Sequence, residues 1–179
     1  MKRLILLVSL AIALLNIDFF TKSFVRNNLS EIRFASPEYP FGGIPVFHDW
    51  QGIDFSINFA TNTGAAWSLL AGYQELLVYL RIAIVVGIAV YLLFVKNSPF
   101  RQVAYTFILV GAIGNILDHF LYGYVVDLFY FIFWGYSYPI FNVADSAIFC
   151  GVALLLVQSF FRKNSLHAEA PKQPEESGA

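Results

Sequence analysis

The sequence has little charge, one cysteine and three histidines, and each shortage excludes a class of function. Only 13% of the 179 residues are charged and the formal net charge is −1, so no basic surface favours nucleic acid as a partner. The lone Cys150 cannot form an intramolecular disulfide, and its apolar neighbours predict an inert core residue. The histidines (His48, His119 and His167) are scattered, so we expect neither a zinc site nor another metal cofactor.

Apolar residues dominate the chain. They make up 58% of it, including 19 Phe and 10 Tyr, whereas a soluble domain is apolar in about half of its residues. A helix needs about 20 mostly apolar residues to cross a membrane. Four stretches have that length: 4–24, 74–95, 102–121 and 141–161. The sequence therefore predicts a mainly α-helical membrane protein with a bundle of four transmembrane helices.

The first apolar stretch has two interpretations, a cleaved signal peptide or a retained helix. Residues 1–22 begin with basic residues and continue with an apolar run, as a secretory signal does. No small-x-small cleavage site follows, because "NIDFFTK" stands in its place. We therefore predict that the first span is retained.

Basic residues cluster at three places along the chain, all on one side of a four-span topology. The clusters are Lys2 with Arg3, Lys96 with Arg101, and Arg162 with Lys163. Because such clusters mark the cytoplasmic side, both termini are predicted in the cytoplasm. Segments 25–73 and 122–140 then lie on the outer side.

The first outer segment carries a strand pattern. Residues 53–60 alternate apolar and polar side chains, which is typical of a strand with one apolar face. Gly64 in the following "NTG" favours a turn. We therefore expect a small extracytoplasmic β-sheet after the first helix, within 25–73, with its apolar face resting on the membrane.

The second outer segment is aromatic. Residues 120–134 are apolar but short, and their Tyr and Trp side chains suit the membrane interface. We therefore expect 122–140 to lie on or dip into the outer surface rather than to form a fifth span. The polar end of the chain, 164–179, is predicted to be a disordered cytoplasmic tail. The rest of the chain, 1–163, is predicted to form a single integral membrane domain.

Four aspartates fall at one predicted depth. Asp18 and Asp118 lie near the outer ends of the first and third spans. Asp127 lies in the aromatic segment, and Asp145 lies near the outer start of the fourth span. A charged group within a membrane usually faces a partner or a functional cavity. Two carboxyls held together at low dielectric share one proton, so Asp127 and Asp145 are candidates for an acid–base pair.

Other polar residues accompany the aspartates at helical spacing. Asn115 shares a helix face with Asp118 and with small glycines, which allow another helix to approach closely. Asn142 precedes Asp145 by three positions. Lys22 follows Asp18 by four, so an ion pair is expected, with the ammonium group extending toward the interface.

Five motifs in this order resemble those of lipoprotein signal peptidase, also called signal peptidase II, and the match covers roughly 4–161. They are "DFFTK" (18–22), "NTGAAWS" (62–68), "GAIGNILDH" (111–119), "VVDLF" (125–129) and "FNVADSAI" (141–148). The resemblance implies a bacterial intramembrane aspartyl peptidase with four spans and a periplasmic β-cradle. Such an enzyme sits in the inner membrane, cleaves diacylglyceryl-modified prolipoproteins before the lipid-modified cysteine, and is blocked by globomycin.

By position, the resemblance implies that Asp127 and Asp145 are the catalytic pair. It implies substrate-binding, inhibitor-binding or supporting roles for Asp18, Lys22, Asn62, Gly64, Asn115, Asp118, His119 and Asn142. His119 departs from the family, which usually has an arginine there, so its contact with Asp118 or a lipid headgroup is expected to be weaker or pH-dependent. The implied partners are prolipoproteins, membrane lipids and globomycin-type inhibitors, and we expect a monomer.

Two other functions remain open. A small proton-coupled transporter or channel also uses membrane aspartates, but it predicts acids spread through the depth of the bilayer. A non-catalytic membrane scaffold predicts that the carboxyls tolerate conversion to asparagine. Structural alternatives also remain for Asp118, which could bond backbone amides of the outer loop, and for the pair of Asp18 with Lys22.

Overall fold

The computed structural model describes residues 1–63, 74–95 and 98–168, and within them four helices are long and apolar enough to cross a membrane. Their bounds are α1 Lys2–Asn28, α2 Gln74–Phe94, α3 Pro99–Tyr122 and α4 Val143–Ala168. The predicted helical bundle is confirmed. Helix α4 runs into the stretch that the sequence assigned to the tail, and 169–179 lie outside the described residues, as does the turn glycine Gly64.

Helix α3 contacts the other three helices, and small residues allow this close packing. A Cβ atom on Gly114 would lie 2.6 Å from Oδ2 of Asp18 in α1. A Cβ on Gly111 would collide with the backbone carbonyl of Ala144 in α4. Apolar side chains gain little by leaving lipid for a helix interface, so close van der Waals packing of small residues holds such helices together.

One antiparallel sheet of four strands completes the fold, in the order β1-β2-β3-β4. Its strands are β1 Ile44–Trp50, β2 Ile53–Asn62, β3 Val125–Phe133 and β4 Tyr136–Ser137. The sequence predicted a strand over 53–60 but none in the aromatic segment, where β3 pairs with β2. Ala60 lies opposite Asp127 in this pairing, and Asn62 lies opposite Val125. The sheet therefore brings Asn62 and Asp127 to neighbouring positions.

The two faces of β2 have different surroundings. On one face Ser56 and Asn58 are each 1% exposed, and Asn58 Nδ2 donates a hydrogen bond of 2.9 Å to the carbonyl of Pro40. On the other face Phe55 stacks on Phe131 of β3, with ring centroids 4.1 Å apart. Ser56 and Asn58 are thus buried, with Asn58 held by the preceding loop, while Phe55 remains partly exposed.

A small apolar core joins the sheet to α1. It consists of Val25 from α1, Phe59 from β2, and Val126 and Leu128 from β3. Cys150, by contrast, is exposed on α4, so the expectation of a core cysteine was wrong. A helix that is apolar all round does not show from its sequence which side faces the other helices, and this is why the prediction failed.

Candidate active site

The start of α4 is fixed by Asn142 and Asp145. The Oδ1 atom of Asn142 accepts a hydrogen bond of 2.8 Å from the backbone N–H of Asp145, and the backbone N–H of Asn142 donates to Oδ2 of Asp145 at 3.3 Å. This reciprocal pair is a capping box, which satisfies two amides that have no partner inside the helix. A carboxylate in the first helical turn is also stabilised by the helix dipole. Local structure thus accounts for an aspartate at the start of an apolar helix.

Asn142 also reaches the second carboxyl. Its side chain is fully buried, and its Nδ2 atom donates to Oδ1 of Asp127 at 2.7 Å. The same amide lies 3.2 Å from the carbonyl of Val126 and 3.2 Å from Oδ1 of Asn115. Asn142 therefore bonds to both candidate catalytic acids and ties the end of α3, β3 and the start of α4 together.

Asp127 is 3% exposed on β3 and receives a second amide bond, 2.8 Å from Nδ2 of Asn62 to its Oδ2 atom. Burial and, after it, the nearby charge of Asp145 raise the pKa of Asp127 from 3.8 to about 7, against the opposing effect of the two amide hydrogen bonds. The carboxyl can therefore hold a proton near neutral pH. The sequence places Asp127 in an aromatic segment predicted to lie on the outer surface, and the structure shows that this part of the segment is strand β3.

Asp145 is only partly buried, and Nδ2 of Asn115 donates to its Oδ1 atom at 2.8 Å. Oδ1 of Asn115 in turn accepts a hydrogen bond of 3.0 Å from the ammonium group of Lys22. The lysine is thereby connected to Asp145 through one amide. Both oxygens of Asp145 accept a hydrogen bond, and these bonds offset part of the cost of burying its carboxylate.

Lys22 is 1% exposed and lies between two further carboxylates. Its Nζ atom is 2.7 Å from Oδ2 of Asp18 and 3.0 Å from Oδ2 of Asp118. The expected pair of Asp18 with Lys22 is present, but the expectation that Lys22 extends toward the interface was wrong. Partners on α3 hold the ammonium group inside the bundle.

Asp18 and Asp118 also bond to the backbone of the elements that carry the catalytic candidates. Oδ1 of Asp18 accepts from the N–H of Ala144 at 2.8 Å, and Oδ2 of Asp118 accepts from the N–H of Val126 at 3.0 Å. These residues therefore fix the positions of α4 and β3 relative to α1 and α3. The contact of Asp118 with a backbone amide is the one expected if this residue has a structural role.

The structure brings eight of the ten sequence-predicted site residues into one hydrogen-bonded network: Asp18, Lys22, Asn62, Asn115, Asp118, Asp127, Asn142 and Asp145. Gly64 lies outside the described residues. Within the described part of the chain His119 forms no ion pair with Asp118, and its ring meets Phe120 edge to face at 5.8 Å.

One charged residue near the site was not predicted to belong to it. Arg81 of α2 lines a small cleft together with Asn62 and His119. The signal was available in the sequence, because a charged residue inside an apolar span is a candidate functional group by default. Arg81 lies outside the five motifs that carry the family resemblance.

Comparisons with known proteins find one family of membrane peptidases and a solved structure with a similar fold. The family described as signal peptidase (SPase) II matches residues 10–161. The lipoprotein signal peptidase of Psychromonas ingrahamii is 43% identical over 123 residues, which are 66% of this chain and 71% of that protein. Its counterpart from Listeria welshimeri is 37% identical over 153 residues, 84% of this chain and 90% of that protein. A solved bacterial membrane enzyme superposes with a TM-score of 0.75 at 26% identity, covering 93% of this chain and 94% of its own.

The family match spans the same motifs that supply the network, and the four apolar helices make the chain a multi-pass membrane protein. The resemblance noted in the sequence is thereby confirmed, and the chain belongs to the signal peptidase II family of membrane peptidases.

Proposed function

We propose that this chain is an aspartic endopeptidase that removes the signal peptide from diacylglyceryl-modified prolipoproteins by cutting just before the lipid-modified cysteine. The observation that carries the proposal is the position of Asn142, which donates to Asp127 and caps the turn that holds Asp145. Two carboxyls linked by one buried amide, one protonated near neutral pH and one partly exposed, are the groups that a two-aspartate hydrolysis needs.

In the proposed reaction the pair starts with one proton, held by Asp127. Asp145 takes a proton from a water molecule, the water oxygen attacks the scissile carbonyl carbon, and Asp127 gives its proton to the carbonyl oxygen. The resulting gem-diol returns one hydroxyl proton to Asp127 as its C–N bond breaks. The leaving nitrogen takes the proton from Asp145. The products are a carboxylic acid and an amine, and the pair is restored to its starting state.

We place the proposed active site at the outer face of the bacterial inner membrane, where the acyl chains of a lipidated substrate can stay in the bilayer. The basic clusters in the sequence predict both termini in the cytoplasm, and in that topology the network lies toward the outer side. Acyl chains that stay in the bilayer would fix the depth of the scissile bond, and such orientation lowers a barrier by several kcal/mol. One chain supplies the whole network, which favours a monomer, and globomycin-type inhibitors would occupy the same site.

The proton-transporter alternative is less well supported. It needs acids spread along a path across the bilayer. The four aspartates instead converge on Lys22, Asn115 and Asn142, where α1, α3, β3 and α4 meet. This arrangement favours chemistry at one point over transfer across the membrane.

The proposal is tested by neutralising each acid without changing its shape. Purified Asp127→Asn and Asp145→Asn variants should each fail to cleave a diacylglyceryl-modified prolipoprotein in liposomes, measured by the mobility shift of the product on a gel. Asp54→Asn is the matched control, because Asp54 lies on β2 outside the network and accepts bonds from His48 and the N–H of Asp49. It should cleave like the wild type.

The substrate requirement is tested with the same precursor lacking its lipid, which should be cut far more slowly. Activity within about tenfold of wild type in either catalytic variant corresponds to only ~1.4 kcal/mol of barrier and would show that the pair is not catalytic. Equal cleavage of both precursors would remove the proposed role of the lipid.

A further inference from the structure

The network around the catalytic pair contains more negative than positive groups. Asp18 and Asp118 both pair with the single ammonium group of Lys22. Asp127 and Asp145 hold one proton between them under the proposed mechanism. Three carboxylates then face one lysine, and a buried charge without a partner is costly. A second cation near the pair would reduce this imbalance.

Arg81 is placed to be that cation. It lies in the outer part of α2, and Glu75 is the only other charged residue of that helix. Its side chain lines the cleft with Asn62, the residue that donates to Asp127. Arg81 is also close enough to Asp145 for an electrostatic interaction. Among the described residues no carboxylate forms an ion pair with it.

We propose that Arg81 is a positioning residue for the catalytic pair: its guanidinium supplies the second positive charge that keeps one carboxyl ionised while the other holds a proton. It acts through its charge rather than through contact with the scissile bond. Arginine suits this role because it stays protonated in a partly buried site, where a lysine can lose its proton. This inference rests on the proposed two-aspartate mechanism.

The other groups that face the pair come from every element packed around it. They are Asp18 and Lys22 from α1 and Asp118 and His119 from α3, around Asp127 on β3 and Asp145 on α4. Lys22 is already engaged by two carboxylates, and the ring of His119 packs edge to face against Phe120. Arg81 is therefore the cation beside the pair that stays charged and that no carboxylate of the described residues engages.

The test is the pH profile of kcat/KM for lipidated precursor, because a merely structural role would not move the profile. The acid limb is the part of the profile where activity falls as the pH is lowered and the ionised carboxyl takes up a proton. Without the positive charge of Arg81 this limb should move to higher pH by about half a unit or more in Arg81→Gln. At a fixed pH on the limb, kcat/KM should then fall by about threefold beyond any loss at the optimum. Arg81→Lys should keep the wild-type limb. Arg101→Gln is the matched control, since Arg101 bonds Gln158 at the other end of α3.

A second-site change extends the test. Residue 119 lines the same cleft as Arg81, so His119→Arg added to Arg81→Gln should return the acid limb toward its wild-type position. The inference is overturned if Arg81→Gln keeps the wild-type limb or loses activity equally at every pH. Should the glutamine variant fail to fold, a displaced limb in Arg81→Lys overturns it as well, because that variant retains the charge.

The two proposals fail in different ways. Activity in Asp127→Asn or Asp145→Asn would refute the two-aspartate mechanism, whatever the behaviour of Arg81. Inactive aspartate variants together with an unshifted profile in Arg81→Gln would refute only the role of Arg81.

Discussion

Replacing Lys22 by methionine removes the one cation at the centre of the buried network. The new side chain is similar in length and apolar, so the bundle is not left with a large cavity. What is lost is the ammonium group, which lies 2.7 Å from Asp18, 3.0 Å from Asp118 and 3.0 Å from Oδ1 of Asn115. Two carboxylates, each 4–6% exposed at the side chain, are then left without their ion-pair partner.

We expect this change to lower the free energy of unfolding by about 3–5 kcal/mol, the usual cost of removing one partner from a buried ion pair. The loss is limited because backbone amides still donate to both acids, from Ala144 to Asp18 and from Val126 to Asp118. Neutralising the acids as well, in Lys22→Met with Asp18→Asn and Asp118→Asn, should recover part of the stability, since no unpaired charge then remains.

The measurement is SDS-induced unfolding in mixed micelles, followed by tryptophan fluorescence. Lys2→Met is the matched control, because Lys2 is exposed at the start of α1, and it should change stability by no more than about 0.5 kcal/mol. A cost for Lys22→Met below about 1 kcal/mol would refute the reasoning, because that is the range of a surface ion pair. So would a triple variant no more stable than the single one.

Four further predictions concern the proton, the packing and metals. Cleavage should decline as the pH rises through about 7, where burial and the charge of Asp145 place the pKa of Asp127, and a profile that stays flat into the alkaline range would contradict this. Because folding raises that pKa from 3.8, the protonated carboxyl adds to the free energy of unfolding. This contribution is complete below about pH 4 and is lost as the pH rises to about 7. Asp127→Asn should therefore make the free energy of unfolding less dependent on pH over this range. Gly114→Ala should cost about 1–3 kcal/mol, because its Cβ would lie 2.6 Å from Asp18, whereas Gly87→Ala, with no described atom within 4 Å of its Cβ, should be neutral or stabilising. Cleavage should persist in EDTA, since the described residues include no group of three His, Cys, Asp or Glu side chains placed to hold a metal, and a loss restored by a divalent ion would refute this.

Much of the helical fold and most of the site could be predicted from the sequence. The four spans follow from the length of the apolar stretches, because a chain in lipid must satisfy its backbone hydrogen bonds within each segment. The spacing of Asn142 and Asp145 already contains the capping box, and the glycines of α3 already indicate close packing. These features depend on neighbours within four positions or on composition, so the linear order of residues is sufficient to show them.

The strand β3 and the position of Lys22 could not be found in this way. The segment "VVDLFYFIF" is almost continuously apolar, so it lacks the period-two alternation that marks a strand with one buried face, and only its pairing with β2 identifies it. The spacing of Lys22 shows Asp18 as a partner. It does not show Asp118 or Asn115, which turn a side chain expected at the interface into a buried one.

The sequence by itself determined which residues are polar in an apolar chain and near which end of each span they lie. The tertiary structure decided what those residues bond to. Lys22 and Asn115 are 93 positions apart, and Asp18 meets the N–H of Ala144 across 126 positions. Such contacts exist only because Gly111 and Gly114 let the helices approach closely, and because β3 returns beside β2 to place Asp127 within reach of Asn142. Local patterns fix helices through bonds inside each segment, whereas the active site is made of bonds between segments, and these depend on packing that no single segment contains.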